Sequence, residues 1–198
     1  MIPNPGQHRY DEAVIHHVEF VQWIPVPLEQ VFLFFANPGN LPKISPPQSR
    51  AQLIHVRIVP PPGISRESAT VSSREPLAGV GSEIVTSFRL TPFLPIRRRW
   101  TAQITEFQWN HHFADVQKSG PFKYFHHRHE FSAENRGGQT GAAIRDVIEY
   151  QVGFGALGEI ADKFLVRRQL ADMFSYRQKA VEKLLVTKRS GVQFLSPD

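Results

Sequence analysis

Three histidines, an arginine and a glutamate stand among four aromatic rings in the segment FKYFHHRHEF, Phe122 to Phe131. Groups of these types can bind a metal ion, act as general acids and bases, or form polar spots on the wall of a binding cavity. Alternation along a strand decides which of them share a face. One side carries Tyr124, His126, Arg128 and Glu130, mostly charged and expected in water. The other carries Phe125, His127, His129 and Phe131, so two imidazoles are expected to point inward between two phenylalanines. The same test on AIRDVIEY turns Arg145 and Glu149 outward and Ile144, Asp146, Ile148 and Tyr150 inward. In RRRWTAQI it turns Trp100, Ala102 and Ile104 inward.

Register adds a pairing. A four-residue turn at Asn135 to Gly138 sets His127 opposite Asp146, and a one-pair shift leaves Asp146 diagonal to His127. The expectation is an imidazole–carboxylate pair on the inner wall, with His129 and Tyr150 nearby. In HFADVQ the alternation is ambiguous. A three-residue turn at Ser119 to Pro121 puts Asp115 on the inner face beside Phe125, whereas a two-residue turn reverses it. We take the three-residue turn.

These strands belong to a longer order of elements. A strand over Ile15 to Ile24 leads into a helix that opens after Pro27, with Val31, Phe34 and Phe35 at helical spacing. Pro38 and Gly39 end it, and NLPKISP reads as a second, short helix. Strands follow at Ala51 to Val59, Ser82 to Leu90, Arg97 to Phe107, His111 to Lys118, Pro121 to Ala133 and Gln139 to Val152. The loop from Pro60 to Gly79 is rich in turn-forming residues. Short links between the later strands require antiparallel neighbours. Ala156 to Val186 reads as a single helix, with Ile160, Phe164, Leu165, Ala171, Phe174, Val181, Leu184 and Leu185 on its apolar stripe. Residues 1–13 are expected to form an arm, 14–186 one domain and 187–198 a loose tail. The fold class is α+β: a seven-stranded antiparallel sheet, two short helices after its first strand, and one long C-terminal helix to cover a face.

Composition narrows the function. The chain has 198 residues and a net charge of +5, but its basic residues are scattered apart from Arg97-Arg98-Arg99. No nucleic-acid partner is expected from so dispersed a charge. With no cysteine, disulfides and thiolate metal sites are excluded. No apolar run could span a bilayer and no signal-peptide core opens the chain, so a soluble, cytoplasmic protein without integral membrane contact is expected. Fifteen phenylalanines against three tryptophans and two methionines suit the apolar walls of a pocket. The segment GFGALG, Gly153 to Gly158, matches a dinucleotide fingerprint, yet it follows an antiparallel meander and no parallel strand succeeds it. It is read as a tight turn, and no cofactor is expected.

The segment FVQWIPVPLEQVFLFFANPGNLPKISPP, Phe20 to Pro47, resembles the opening of the START-like (SRPBCC) superfamily in its polyketide cyclase/dehydrase branch. The matching positions are Pro27, Glu29, Val31, Phe32 and Asn40-Leu41-Pro42. Trp100, Ile104, Phe113, Asp115, Gln117, Gly120, Pro121, Phe122, His127, His129, Phe131, Asp146 and Tyr150 continue the likeness, which spans about Val14 to Leu185. Phe125 departs from it, standing where relatives often carry Trp, and the Pro60 to Gly79 loop is longer than usual. The resemblance implies a helix-grip fold, a curved sheet wrapped around the C-terminal helix with an apolar cavity between.

The expected function is binding or transport of a small hydrophobic molecule, such as a lipid, a polyketide or a quinone-like compound, in that cavity. Phe88, Trp100, Phe113, Phe125, Phe131, Ile160 and Phe164 would supply apolar wall. Asp115, Gln117, His127, His129, Asp146 and Tyr150 would meet the ligand's polar end. The alternative is a cyclase/dehydratase-type enzyme with His127, Asp146 and Tyr150 as candidate catalytic groups. His127-x-His129 with Asp115 or Asp146 has the makings of a two-His, one-carboxylate site, but no metal is assigned. The sequence leaves the ligand and the oligomeric state open.

Overall fold

The computed structural model describes residues 14–63, 76–89, 96–153 and 165–190. Seven strands form one sheet: β1 (His16–Ile24), β2 (Gln52–Arg57), β3 (Glu83–Arg89), β4 (Arg97–Gln108), β5 (His112–Ser119), β6 (Tyr124–Arg136) and β7 (Gln139–Gln151). Their spatial order is β1-β7-β6-β5-β4-β3-β2, and every neighbouring pair is antiparallel. Between β1 and β2 lie the helix α1 (Leu28–Ala36) and two 3-10 turns, Pro38–Ile44 and Pro47–Ser49. The C-terminal helix α2 covers Arg167–Ser190 and runs past Val186, where the sequence suggested a tail would begin. At 24 residues it is about 36 Å long. An antiparallel β7 cannot open a βαβ unit, so the glycines that follow it are not a dinucleotide fingerprint.

Local chemistry explains the turn from β1 into the sheet's cover. Pro27 occupies the N-cap position of α1 with an extended backbone, and Glu29 lies in the first turn. A negative charge there suits the unpaired N–H groups of a helix start. Pro38 cannot continue α1, and the Asn37 side chain accepts a hydrogen bond from Gly39 N to start the next turn. Buried Asn40 then donates to Phe34 O, satisfying a carbonyl at the end of α1.

Sheet alternation sorts the chain into two faces. The outer face carries a charge ladder: Arg145 bonds Glu19 through two nitrogens at 2.6 Å and Glu130 through a third at 2.6 Å. Arg128 continues it to Glu130 and Glu106. The inner face is apolar. One core gathers Ile24, Val31, Phe32, Ile104, Phe113, Phe131 and Ile144 with Val181 and Leu185 of α2. A second gathers Phe125, Ile148 and Tyr150 with Leu170 and Phe174. Phe20 and Phe174 stack with ring centroids 4.3 Å apart, which lays α2 against β1.

Two turns differ from the sequence expectation. The β6–β7 connection is the two-residue pair Gly137-Gly138, not a four-residue turn. Both glycines have positive φ, 59° and 80°, the requirement of the tight hairpin whose twist matches its strands. Register therefore moves by one pair: His129 faces Asp146, and His127 faces Ile148. The β5–β6 connection is longer than three residues, so Asp115 pairs with His127 rather than Phe125. Both shifts are even in residue count, which is why the inward residues expected on β5, β6 and β7 keep their face.

The buried stripe of α2 also departs from the expectation. Leu170, Phe174, Arg177, Val181 and Leu185 are buried, whereas Leu165 and Ala171 are exposed. β4 contains an irregularity between Ile104 and Glu106. Strict alternation from Trp100 would have driven Glu106 into the core. The extra residue instead returns Glu106 to the ladder and sets Phe107 against Phe113.

Phe32 is fully buried and meets Phe107, Phe113 and Phe131 edge-on at centroid distances of 5.2–6.0 Å. Phe32→Ala should lower unfolding free energy by about 3–5 kcal/mol in urea titration, with the slope of the transition unchanged. A loss under about 1 kcal/mol would contradict this packing.

Candidate functional site

Where β5, β6 and β7 run side by side beneath α2, a polar cluster interrupts the aromatic wall. His127, His129 and Asp146 are 7%, 6% and 5% exposed. His127 Nε2 stands 3.0 Å from Asp146 Oδ1. A carboxylate only accepts, so the proton on His127 lies on Nε2 and the Nδ1 lone pair is left free. Asp115 Oδ2 is 4.0 Å from that Nδ1, too far for a direct hydrogen bond. His129 Nδ1 approaches the same Asp146 oxygen at 2.6 Å, but out of line for a hydrogen bond, so it has no well-aligned partner. The two imidazole centroids are 3.9 Å apart.

Apolar rings enclose these groups. His129 lies against Phe113 (4.5 Å) and Phe35 (5.7 Å), and His127 meets the edge of Phe174 of α2 (5.6 Å). Burial would raise the Asp146 carboxyl, but the field of His129 and the contacts from both imidazoles outweigh it, and Asp146 stays ionised well below the usual carboxylate range. Burial and the neighbouring His129 lower His127 to about 4, against an opposing pull from Asp146 and Asp115. Asp115 moves the other way, raised chiefly by burial. The cluster thus presents a neutral imidazole beside one firmly ionised carboxylate and one carboxyl inclined to keep its proton.

The remaining expected residues distribute around it. Trp100 packs edge-on against Phe125 at 4.6 Å and near Phe88 at 6.1 Å, forming the wall at the β3–β4 side. Tyr150 is fully buried opposite Phe125, with its ring against Phe122 and His16. Phe131 and Phe113 close the opposite end with α1. The Gln117 amide is engaged by backbone: its Nε2 donates to Phe122 O at 2.7 Å, and its Oε1 accepts from Phe122 N at 3.3 Å. Its role here is to hold the β5–β6 loop, and a Cβ at Gly120 would collide with it. Ile160 and Phe164 lie outside the described residues. An open groove lined by His111, Glu130, Phe131, Ser132 and Arg145 has the outer charge ladder on its wall and does not include the cluster.

Sequence reasoning missed two residues. Phe122 bridges Trp100, Phe125 and Tyr150 from the loop before β6, whereas a strand beginning at Pro121 would have turned it outward with Tyr124. Arg177 is 8% exposed on the inward stripe of α2. Its signal was present: it falls seven residues after Leu170 and four before Val181, where an apolar residue belongs. A metal is also within the reach of this chemistry. Asp115, His127 and His129 each offer a ligand atom within 4.8 Å of the others. Asp146, holding the Nε2 of His127, stands where an outer carboxylate orients a metal-bound imidazole.

The lowered His127 value has a consequence for stability. Between pH 6.5 and about 4 the unfolded chain binds a proton at this histidine and the folded chain does not, so acidification across that window destabilises the fold. The full effect is about 3 kcal/mol, and Asp115, raised on folding, opposes it in part. Asp146 contributes stability that is lost only as pH falls below the ordinary carboxylate range. NMR titration should find the His127 ring neutral down to about pH 4. His127→Gln should flatten the stability profile between pH 6.5 and 4 relative to wild type. A His127 that titrates near 6.5 would contradict the geometry.

Residues 24–174 match the family described as polyketide cyclase / dehydrase and lipid transport. No curated protein matches the chain. Solved structures that it resembles include norcoclaurine synthase from Thalictrum flavum in complex with dopamine and hydroxybenzaldehyde, at a TM-score of 0.57 and 13% identity, covering 94% of this chain and 95% of that one. The major latex-like protein 151 of Panax ginseng superposes with a TM-score of 0.58 at 10% identity, covering 87% and 98%. A protein of Thermus thermophilus gives 0.55 at 14% identity, covering 87% and 99%. At such identities the likeness is one of fold, and it agrees with the seven-stranded antiparallel sheet and closing helix. No helix among the described residues is long and apolar enough to cross a membrane. Taken with a match over most of its length, this architecture makes the chain a member of the polyketide cyclase / dehydrase and lipid transport family, with the START-like helix-grip fold.

Proposed function

We propose that the protein binds or carries a small hydrophobic molecule (a lipid, a polyketide or a quinone-like compound) in the cytoplasm, held between the inner face of the sheet and the C-terminal helix. The observation that carries this reading is a buried polar cluster with spare hydrogen-bonding capacity set in an aromatic wall. Phe88, Trp100, Phe113, Phe125 and Phe131 would contact the apolar body. His127 Nδ1, His129 and Asp115 would orient its polar end, with Asp146 fixing the imidazoles. Burying such groups costs a few kcal/mol each unless a partner satisfies them, and a ligand's hydroxyl or carbonyl is such a partner.

A second reading is favoured by one specific feature. A neutral imidazole whose Nε2 proton is held by an ionised carboxylate has its Nδ1 lone pair ready to take a proton from a carbon beside a carbonyl. Asp146 would stabilise the imidazolium so formed. On this reading the same site is a cyclase/dehydratase-type active site.

Native mass spectrometry of protein from its own host should detect a co-purifying hydrophobic compound. Its complete absence, together with failure to take up any of a panel of lipids, aromatic polyketides and quinones, would count against binding. His127→Gln should weaken the affinity of that compound by about tenfold, the worth of one hydrogen bond made in a buried site. Unchanged affinity would remove His127 from the site. Release of the compound chemically unaltered after prolonged incubation would disfavour the enzyme.

A further inference from the structure

We propose that the ligand is an amphipathic carboxylic acid, and that the guanidinium of Arg177 is the partner of its carboxylate. This rests on the binding reading above and names its ligand class.

Arg177 lies on the inward stripe of α2, between Phe174 and Val181, and is 8% exposed. Its guanidinium carbon sits over the Phe174 ring, 4.7 Å from the centroid. That same ring meets the edge of His127 at 5.6 Å and stacks on Phe20. The cation is therefore one ring away from the His127–Asp146 pair, on the element that covers it. A guanidinium brings five N–H donors in a planar fork. The ring face beneath Arg177 offers an attractive field but no lone pair. Arg177 Nε has no hydrogen-bond partner, and no carboxylate lies within ion-pair distance of the guanidinium among the described residues.

Two carboxylates influence it from farther away without pairing with it. Asp146 is already committed to both imidazoles. Asp115 faces His127 and is pushed by burial toward its neutral form. Burial accordingly lowers the Arg177 pKa, and the fields of Asp146 and Asp115 offset this only in part. A buried cation left in that condition is costly, and a planar anion entering the site would relieve the cost through two parallel hydrogen bonds. The charge of that anion is limited. Arg177 is the one buried Lys or Arg among the described residues, enough to match a single negative charge beside an ionised Asp146. A carboxylate fits, and a phosphate dianion does not. The acid's apolar remainder would lie along the aromatic wall.

The test uses the full chain and matched probes: dodecanoate against methyl dodecanoate, and 2-naphthoate against its methyl ester, by calorimetry at pH 7.5. The acids should bind at least tenfold more tightly than the esters, and Arg177→Met should abolish that preference while Arg177→Lys retains part of it. Equal binding of acid and ester to wild type would overturn the carboxylate assignment and leave the binding reading standing. Dodecyl phosphate binding more tightly than dodecanoate would also overturn it. No saturable binding by either acid or ester would remove both readings. Without ligand, Arg177→Met should raise the Tm by about 3 °C or more, because it deletes an unpaired buried charge. A lowered Tm would show that Arg177 serves the fold instead, and would sink the inference.

Discussion

Asp146 is an ionised carboxylate under a cover of phenylalanines, and much of the structure is needed to keep it there. Its charge is tolerable because His127 and His129 reach the same oxygen from neighbouring positions of β6. They can do so only in a register that sets His129 opposite and His127 diagonal to it. That register is set by the Gly137-Gly138 turn, where two positive φ angles let the hairpin close in two residues. The face is guaranteed independently by the ladder from Glu19 through Arg145 to Glu130, which would have to be dragged into the core if β6 or β7 slipped by one. Turn, ladder and cluster therefore support one arrangement from three sides.

The cluster also marks a seam. On one side lies the core built on α1, with Phe32, Phe113 and Phe131; on the other lies the core of Phe125, Ile148 and Tyr150. His129 leans on the first through Phe113, and His127 on the second through Phe174. The helix α2 spans both, giving Val181 and Leu185 to the first core and Leu170 and Phe174 to the second. Arg177 falls on the helix just where the two meet. Polar groups are thus concentrated between two apolar masses instead of being scattered through either.

How far all this could be read from the chain depends on what kind of information each feature needs. Which residues point inward was legible, because period-two alternation survives any even shift in register. The partner of each residue was not, because it depends on turn length, and NRGG is compatible with two lengths until both glycines are known to adopt positive φ. That is why His127 was expected opposite Asp146 and lies diagonal to it. The loop position of Phe122 and the Gln117 amide that holds it follow from a tertiary contact with no local period. Arg177 is a different case. Its spacing places it among buried residues, whereas its charge alone would assign it to water, as for most charged side chains on an amphipathic helix.

Buried polar groups need not serve a ligand; a satisfied cluster can do no more than specify how strands pair. That explanation suffices for Asp146 and for the Nε2 of His127, which use each other. It does not extend to the groups left over. A lone pair on His127 Nδ1, a carboxyl 4.0 Å from it and a guanidinium with an unpartnered Nε contribute nothing to register. Replacing each by an apolar side chain of similar volume would keep the pairing and remove the desolvation cost. These surplus groups are what the proposed ligand would use, because fold alone does not choose the ligand. The surplus is asymmetric: sheet and helix supply different halves of it, the imidazole and carboxyl from below and the cation from above. Only a molecule entering between them can use both halves at once.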